Sequence, residues 1–195
     1  MQWNPYGPEA IQAVLSPGQW QGLGLPGSLT DRLRRLGEFR LCVREERTDA
    51  ASDDEARAMG LAPGAPCWLR EVEMSVDGLK CVAARSLTPL AASWDAWRGM
   101  RGLSERPLGS MLYDDPDVWR SPFEVTRLTA GSALFLMANA VARDAGATSP
   151  GLWARRSLFW RRDQPLLVAE CFLPGFWVLS ARASRSDGAG DGPGY

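Results

Sequence analysis

Three charged side chains lie inside stretches that otherwise read as apolar strands. Each is the one charge among apolar neighbours on its own strand face: Arg70 in CWLREVEM (67–74), Arg85 in CVAARSLTP (81–89) and Glu170 in LLVAECFLP (166–174). Alternate residues of a strand share a face. That rule groups Arg70 with Trp68, Val72 and Met74, and turns Glu71 and Glu73 the other way. Arg85 falls with Ala83 and Leu87, and Glu170 with Leu166, Val168 and Phe172. A charge on an apolar face is costly unless a partner neutralises it. Two arginines and one carboxylate so placed read as a small pocket that accepts anions; the competing reading is a structural ion pair between Arg70 and Glu170. The chain contains no histidine. This removes Ser-His-Asp and Cys-His chemistry, imidazole proton shuttling and most catalytic zinc sites. Chemistry here has to run on carboxylates, guanidinium groups, backbone amides and the reactivity of the substrate itself.

The elements that must carry these groups can be read from the same string. Val-Asp-Gly-Leu at 76–79 joins the strands of Arg70 and Arg85. Asp-Gly between alternating apolar runs predicts a tight antiparallel hairpin, and its register decides whether the two arginines share a face. Residues 162–165 make a similar connection between strands at 152–161 and 166–173. Phe39, Leu41 and Val43 alternate with Arg40, Cys42 and Arg44, which predicts a half-buried strand over 38–46. A further short strand is expected at 123–128. Ser16-Pro17 reads as an N-cap with proline at the first position of a short helix containing Trp20. The following GLGLPG (22–27) formally matches a dinucleotide-binding glycine pattern, but no strand precedes it and Pro26 sits inside it; a turn between helices is expected instead. Leu29, Leu33 and Leu36 recur at helical spacing from Ser28 to a stop at Gly37.

A helical turn is predicted around 53–59, a short helix over 93–99, a loop from 104 entering a short element at 110–113, and a helix over 133–145 ended by Gly146. Residues 1–12 are expected to pack loosely, 116–120 to turn and 147–151 to loop. The Ser-, Gly- and Asp-rich stretch 183–195 reads as a disordered tail, leaving one domain over 1–182. One antiparallel sheet mixed with several short helices is the α+β class.

Composition narrows the function. A chain of 195 residues, 45% hydrophobic and 23% charged, suits one soluble globular domain. A net charge of -1 and a pI near 5.6 argue against a nucleic-acid binder held by bulk electrostatics. The basic clusters Arg32, Arg34 and Arg35, and Arg155, Arg156, Arg161 and Arg162, read as solvated faces. None of the four cysteines (Cys42, Cys67, Cys81 and Cys171) forms a C-x-x-C pair, so they read as reduced, apolar-stretch thiols. The absence of a visible signal peptide and of a run long enough to cross a bilayer predicts a cytoplasmic protein without membrane insertion.

In aggregate these strings resemble the chorismate pyruvate-lyase family, which makes 4-hydroxybenzoate for ubiquinone synthesis. The pieces are Ser28-Leu29-Thr30, Trp68-Leu69-Arg70-Glu71, Asp77-Gly78 followed by Ala84-Arg85, Pro107-Leu108-Gly109, Leu152 to Ser157, and Pro165-Leu166-Leu167 through Glu170 to Pro174. They stand in family order over roughly residues 16–176. The resemblance implies a single antiparallel sheet with flanking helices acting as flaps over an enclosed site. It implies chorismate as substrate, 4-hydroxybenzoate and pyruvate as products, no metal and no cofactor, and a monomer. It assigns the ring carboxylate to Arg70, the ring hydroxyl to Glu170 and backbone assistance to Leu29 and Leu108. Arg85 is expected to take the enolpyruvyl carboxylate. Departures are Leu29 and Ala84, where the family often has Met and Gly, and a segment at 132–149 that reads as an insertion able to reshape a flap. A different reading within reach is a non-catalytic aromatic-acid sensor, since a related ligand-binding domain occurs in bacterial transcription regulators.

Overall fold

A computed structural model describes residues 2–7, 9–12, 14–146 and 151–188. In chain order it places β1 (Asn4–Pro5), α1 (Glu9–Gln12), α2 (Pro17–Gly24), α3 (Leu29–Leu36), β2 (Phe39–Ala50), α4 (Asp53–Met59), β3 (Pro66–Val76) and β4 (Leu79–Pro89). Two 3₁₀ turns, at Ala92–Trp94 and Arg98–Gly102, lead into α5 (Gly109–Tyr113). Then come β5 (Trp119–Arg120), β6 (Glu124–Arg127), α6 (Ala133–Asp144), β7 (Trp153–Arg161), β8 (Gln164–Phe172) and α7 (Pro174–Gly188).

The strands form one antiparallel sheet in the order β1-β6-β7-β8-β4-β3-β2, with β5 paired to β7. Both hairpins carry two-residue turns with positive φ at each position: Asp77 and Gly78 at 49° and 79°, Arg162 and Asp163 at 49° and 59°. That twist matches the strands it joins. The α+β architecture is therefore the one the sequence predicts.

Helices cover both faces. On one face, α2, α3 and α7 pack with Val72, Met74, Val82 and Phe172, and the 3₁₀ turns with α5 close the neighbouring stretch over Phe159 and Leu166. On the other, α6 packs on Ala83, Ala154, Ala169 and Cys171, and α4 on Leu69, Leu87 and Leu167. Helix α6 thus lies behind the sheet. The segment read as an insertion at 132–149 is, in its described part, a helix on the face opposite α2, α3 and α5, and 147–149 fall outside the described residues.

Several local expectations change for identifiable reasons. Helix α2 runs through Gly22 to Gly24 instead of breaking at Gly22. A Cβ at Gly22 would stand 2.7 Å from the Trp177 ring of α7, and one at Gly24 2.0 Å from the Tyr6 hydroxyl. These glycines permit close packing, not a turn. The N-terminal stretch is anchored by β1 pairing with β6. The segment at 116–120 includes β5, 93–99 forms 3₁₀ turns, and β2 extends to Ala50. Helix α7 continues to Gly188, so residues 183–188 are helical where a disordered tail was expected; 189–195 lie outside the described residues.

Candidate active site

The helices on the first face enclose a cavity against the sheet. Its floor is Arg70, Val72 and Met74 of β3, Ala84 and Ser86 of β4, Val168 and Glu170 of β8, and Ser157 and Phe159 of β7. Its roof is Ser28, Leu29 and Thr30 at the start of α3, and Pro107, Leu108, Gly109, Leu112 and Tyr113 at α5. The space between atoms, mouth included, is about 650 Å³. Ser28 caps α3, its Oγ accepting from the Asp31 amide at 3.2 Å. This fixes the first flap and leaves the Leu29 N–H, in the first turn, without an intrahelical acceptor.

Arg70 is 2% exposed. Its Nη1 donates to Glu46, and its Nη2 donates to the carbonyls of Ser104 (2.6 Å) and Arg106 (3.2 Å). The carbonyl bonds tie the loop before α5 to the sheet. A guanidinium has five N–H donors; these three bonds leave two for a bound carboxylate. Glu46 reaches Arg70 through a bulge at Arg44, where the pairing shifts from Val43↔Val72 to Glu45↔Glu71 and then Glu46↔Arg70.

Glu170 points into the same cavity. Its Oε2 accepts from Arg155 Nε at 2.6 Å, while no donor of the described residues occupies Oε1. Arg155 is 1% exposed. Its Nη1 also donates to the carbonyls of Leu23 (3.2 Å) and Leu25 (2.8 Å) at the end of α2, and its guanidinium lies 4.2 Å from the centre of the Phe123 ring. One side chain thus holds the cavity carboxylate and the C-terminus of a roof helix. The sequence reading placed Arg155 and Arg156 on a solvated face, and the structure buries both. The available signal was the alternation of β7, in which Arg155 shares its face with Trp153, Ser157 and Phe159. Tyr113 stacks edge-on to Phe159 at 5.9 Å, and burial pushes its phenol pKa upward.

Arg70, Glu170, Leu29 and Leu108 are therefore brought together, and Arg85 is not. Val76↔Leu79 begins the β3–β4 hairpin in a register that would put Arg70 opposite Arg85. A bulge at Cys81, between the pairs Ser75↔Lys80 and Met74↔Val82, shifts the strand by one residue. Arg70 then faces Ser86, and Arg85 faces Glu71 on the back of the sheet. There Arg85 Nε donates to Glu55 at 2.6 Å and Nη1 to Glu71 at 2.5 Å. Arg85 braces α4 against β3 and does not touch the cavity. Arg156, also behind the sheet, pairs with Asp54 (2.9 Å) and Glu124 (2.7 Å).

A guanidinium at one end, an anchored carboxylate at the other and apolar walls between them could accommodate the class of small organic acids that carry a second polar group. Comparison with known proteins narrows this class. The chorismate lyase family pattern matches residues 3–181, and the chain belongs to that family. A Bordetella avium protein named "Probable chorismate pyruvate-lyase" is 56% identical over 165 residues, 85% of this chain and 81% of that one. A Pseudomonas entomophila protein named "Probable chorismate pyruvate-lyase 1" is 45% identical, over 85% of this chain and 87% of its own. Among solved structures, a GntR-family transcriptional regulator from Bacillus cereus superposes with a TM-score of 0.51 at 11% identity, covering 71% of this chain and 93% of its own. The ligand-binding domain of a GntR-family regulator from Bordetella bronchiseptica gives 0.50 at 16%, covering 70% and 86%. At such identities the likeness is one of fold.

Proposed function

We propose that this chain is a chorismate pyruvate-lyase that converts chorismate to 4-hydroxybenzoate and pyruvate, the step that commits chorismate to ubiquinone. The observation that carries the reading, beyond family membership, is that Arg70 on β3 and Glu170 on β8, the two strands that flank β4, face one cavity from the same side of the sheet. Arg70 grips the ring carboxylate with its remaining donors, a task that suits a planar fork better than an ammonium. Glu170 Oε1 accepts from the ring hydroxyl, and Arg155 holds the carboxylate oriented. The Leu29 and Leu108 amides assist at the two ends.

The chemistry asks little more. The hydrogen on the hydroxyl-bearing ring carbon passes to the vinyl methylene of the side chain. The ether bond from the ring to the enol oxygen breaks, that oxygen becomes the ketone of pyruvate, and the ring becomes aromatic. Atoms and charge balance with no added acid or base, so the protein's work is to hold the reactive conformer in a dry site. We infer a monomer acting in the cytoplasm, as the family likeness implies.

The test is incubation of the purified protein with chorismate in EDTA, quantifying both products by chromatography. Equimolar 4-hydroxybenzoate and pyruvate are expected, falling at least about a hundredfold in Arg70→Ala and Glu170→Ala, each of which removes a charge-assisted contact. Binding of 4-hydroxybenzoate without any turnover would replace the enzyme with a sensor. Light scattering near 21.3 kDa checks the monomer.

A further inference from the structure

Chorismate carries two carboxylates, and with Arg85 behind the sheet the second has no receptor among the groups described so far. We propose that Arg120, with Ser157, receives the enolpyruvyl carboxylate. This inference rests on the chorismate reading of the cavity.

Arg120 lies on β5, which pairs with the β7 edge so that Arg120 stands opposite Phe159. Its Nη1 donates to the Ser157 hydroxyl at 3.0 Å, and Ser157 lines the cavity. Its guanidinium sits 3.9 Å from the centre of the Phe123 ring, also a lining residue. The same ring is 4.2 Å from the Arg155 guanidinium that holds Glu170. Arg120 is therefore placed beside the hydroxyl end of the site, and in chorismate the ether oxygen is on the ring carbon next to the hydroxyl-bearing one.

Its charge state separates it from its neighbours. Arg70 is paired with Glu46, Arg155 with Glu170, and Arg85 and Arg156 with two carboxylates each. No carboxylate of the described residues lies within ion-pairing distance of Arg120; its polar partner is a neutral hydroxyl. A half-buried guanidinium without a counter-ion gains a charge-assisted bond when an anion arrives. Ser157, now a hydrogen-bond acceptor, has its own proton left to donate to the same carboxylate.

The experiment exploits a difference between substrate and product, since 4-hydroxybenzoate lacks the second carboxylate. For Arg120→Gln, kcat/KM for chorismate is expected to fall roughly tenfold to hundredfold, the range of a charge-assisted hydrogen bond. The Kd of 4-hydroxybenzoate, read by tryptophan fluorescence, stays within about twofold. Ser157→Ala shows the same split at smaller amplitude, and Arg120→Lys recovers part of the loss. Unchanged kcat/KM in Arg120→Gln, or equal losses for chorismate and 4-hydroxybenzoate, overturns the assignment. If the Gln variant does not fold, Arg120→Lys and Ser157→Ala are judged by the same split. Failure of the wild-type protein to turn chorismate over would instead remove the reading beneath it.

Discussion

Arg155 shows how much one buried side chain can organise. It neutralises Glu170, satisfies two carbonyls at the end of α2 and stacks on Phe123. Removing one partner of a buried ion pair leaves the other charge uncompensated, at about 3–5 kcal/mol. Arg155→Ala is therefore expected to lose that much stability in urea melts. Arg155→Lys keeps the charge but cannot reach both Glu170 and the α2 carbonyls. It is expected to fold and to lose at least tenfold in kcat/KM, a loss that shrinks in the Glu170→Gln background because the two residues act as a unit. Undiminished loss in that background would make Arg155 a scaffold residue only. Arg70 and Glu170 were legible in the sequence because a lone charge in a period-two apolar run marks a face. Arg85 obeyed the same rule and misled, because face depends on register and a single bulged residue, Cys81, inverts every side chain beyond it. Arg155 was hidden by Arg156: two adjacent arginines look like a surface cluster, although a strand sends them to opposite faces. Arg120 gave no periodic signal, since its strand is two residues long.

At the scale of elements, the roof is two short flaps that meet at Gly109. A Cβ there would stand 2.9 Å from Ser28 Oγ, the atom that caps α3. Adding a methyl forces a choice: α5 moves off α3, or Ser28 turns away and gives up a cap worth about 1 kcal/mol. Either outcome loosens the closed roof while the sheet beneath is untouched. Gly109→Ala is expected to speed 4-hydroxybenzoate dissociation severalfold in stopped-flow fluorescence, with Tm lowered by only a few degrees. An unchanged off-rate would mean that the flaps part elsewhere. If product release limits turnover, wild-type enzyme mixed with chorismate shows a burst of product ahead of the steady state. Two helix starts were legible, since Ser16 and Ser28 each accept from the amide three residues on; Ser52 and Ser132 cap α4 and α6 in the same way. What sequence could not give was the face each helix covers. Helix α6 has the apolar periodicity of any amphipathic helix, and that periodicity is the same whichever face of the sheet the helix covers.

For the molecule as a whole, the sheet acts as a partition with the candidate site on one side and an ion-pair lattice on the other. Its central strands are buried on both faces, and three of the four cysteines are buried along them. Burial lifts the Cys67 and Cys81 thiols from 9.0 to about 11 and the Cys171 thiol further still. The fold holds these groups neutral while the unfolded chain releases their protons from about pH 9. Stability is therefore full below pH 9 and declines as pH rises towards 11. At pH 8 a thiol reagent should find Cys42, which is exposed, and reach the other three only through opening of the sheet. The cavity floor is built from β3, β4, β7 and β8, so any opening that frees Cys67, Cys81 and Cys171 also destroys the ligand site. Ligand binding must then protect them by mass action. At 100 times its Kd, 4-hydroxybenzoate adds about 2.7 kcal/mol, which slows labelling of these three thiols about a hundredfold and leaves Cys42 as fast as before. Equal rates with and without ligand would mean that the strands open without breaking the cavity, and that the two faces of the sheet are not one cooperative unit.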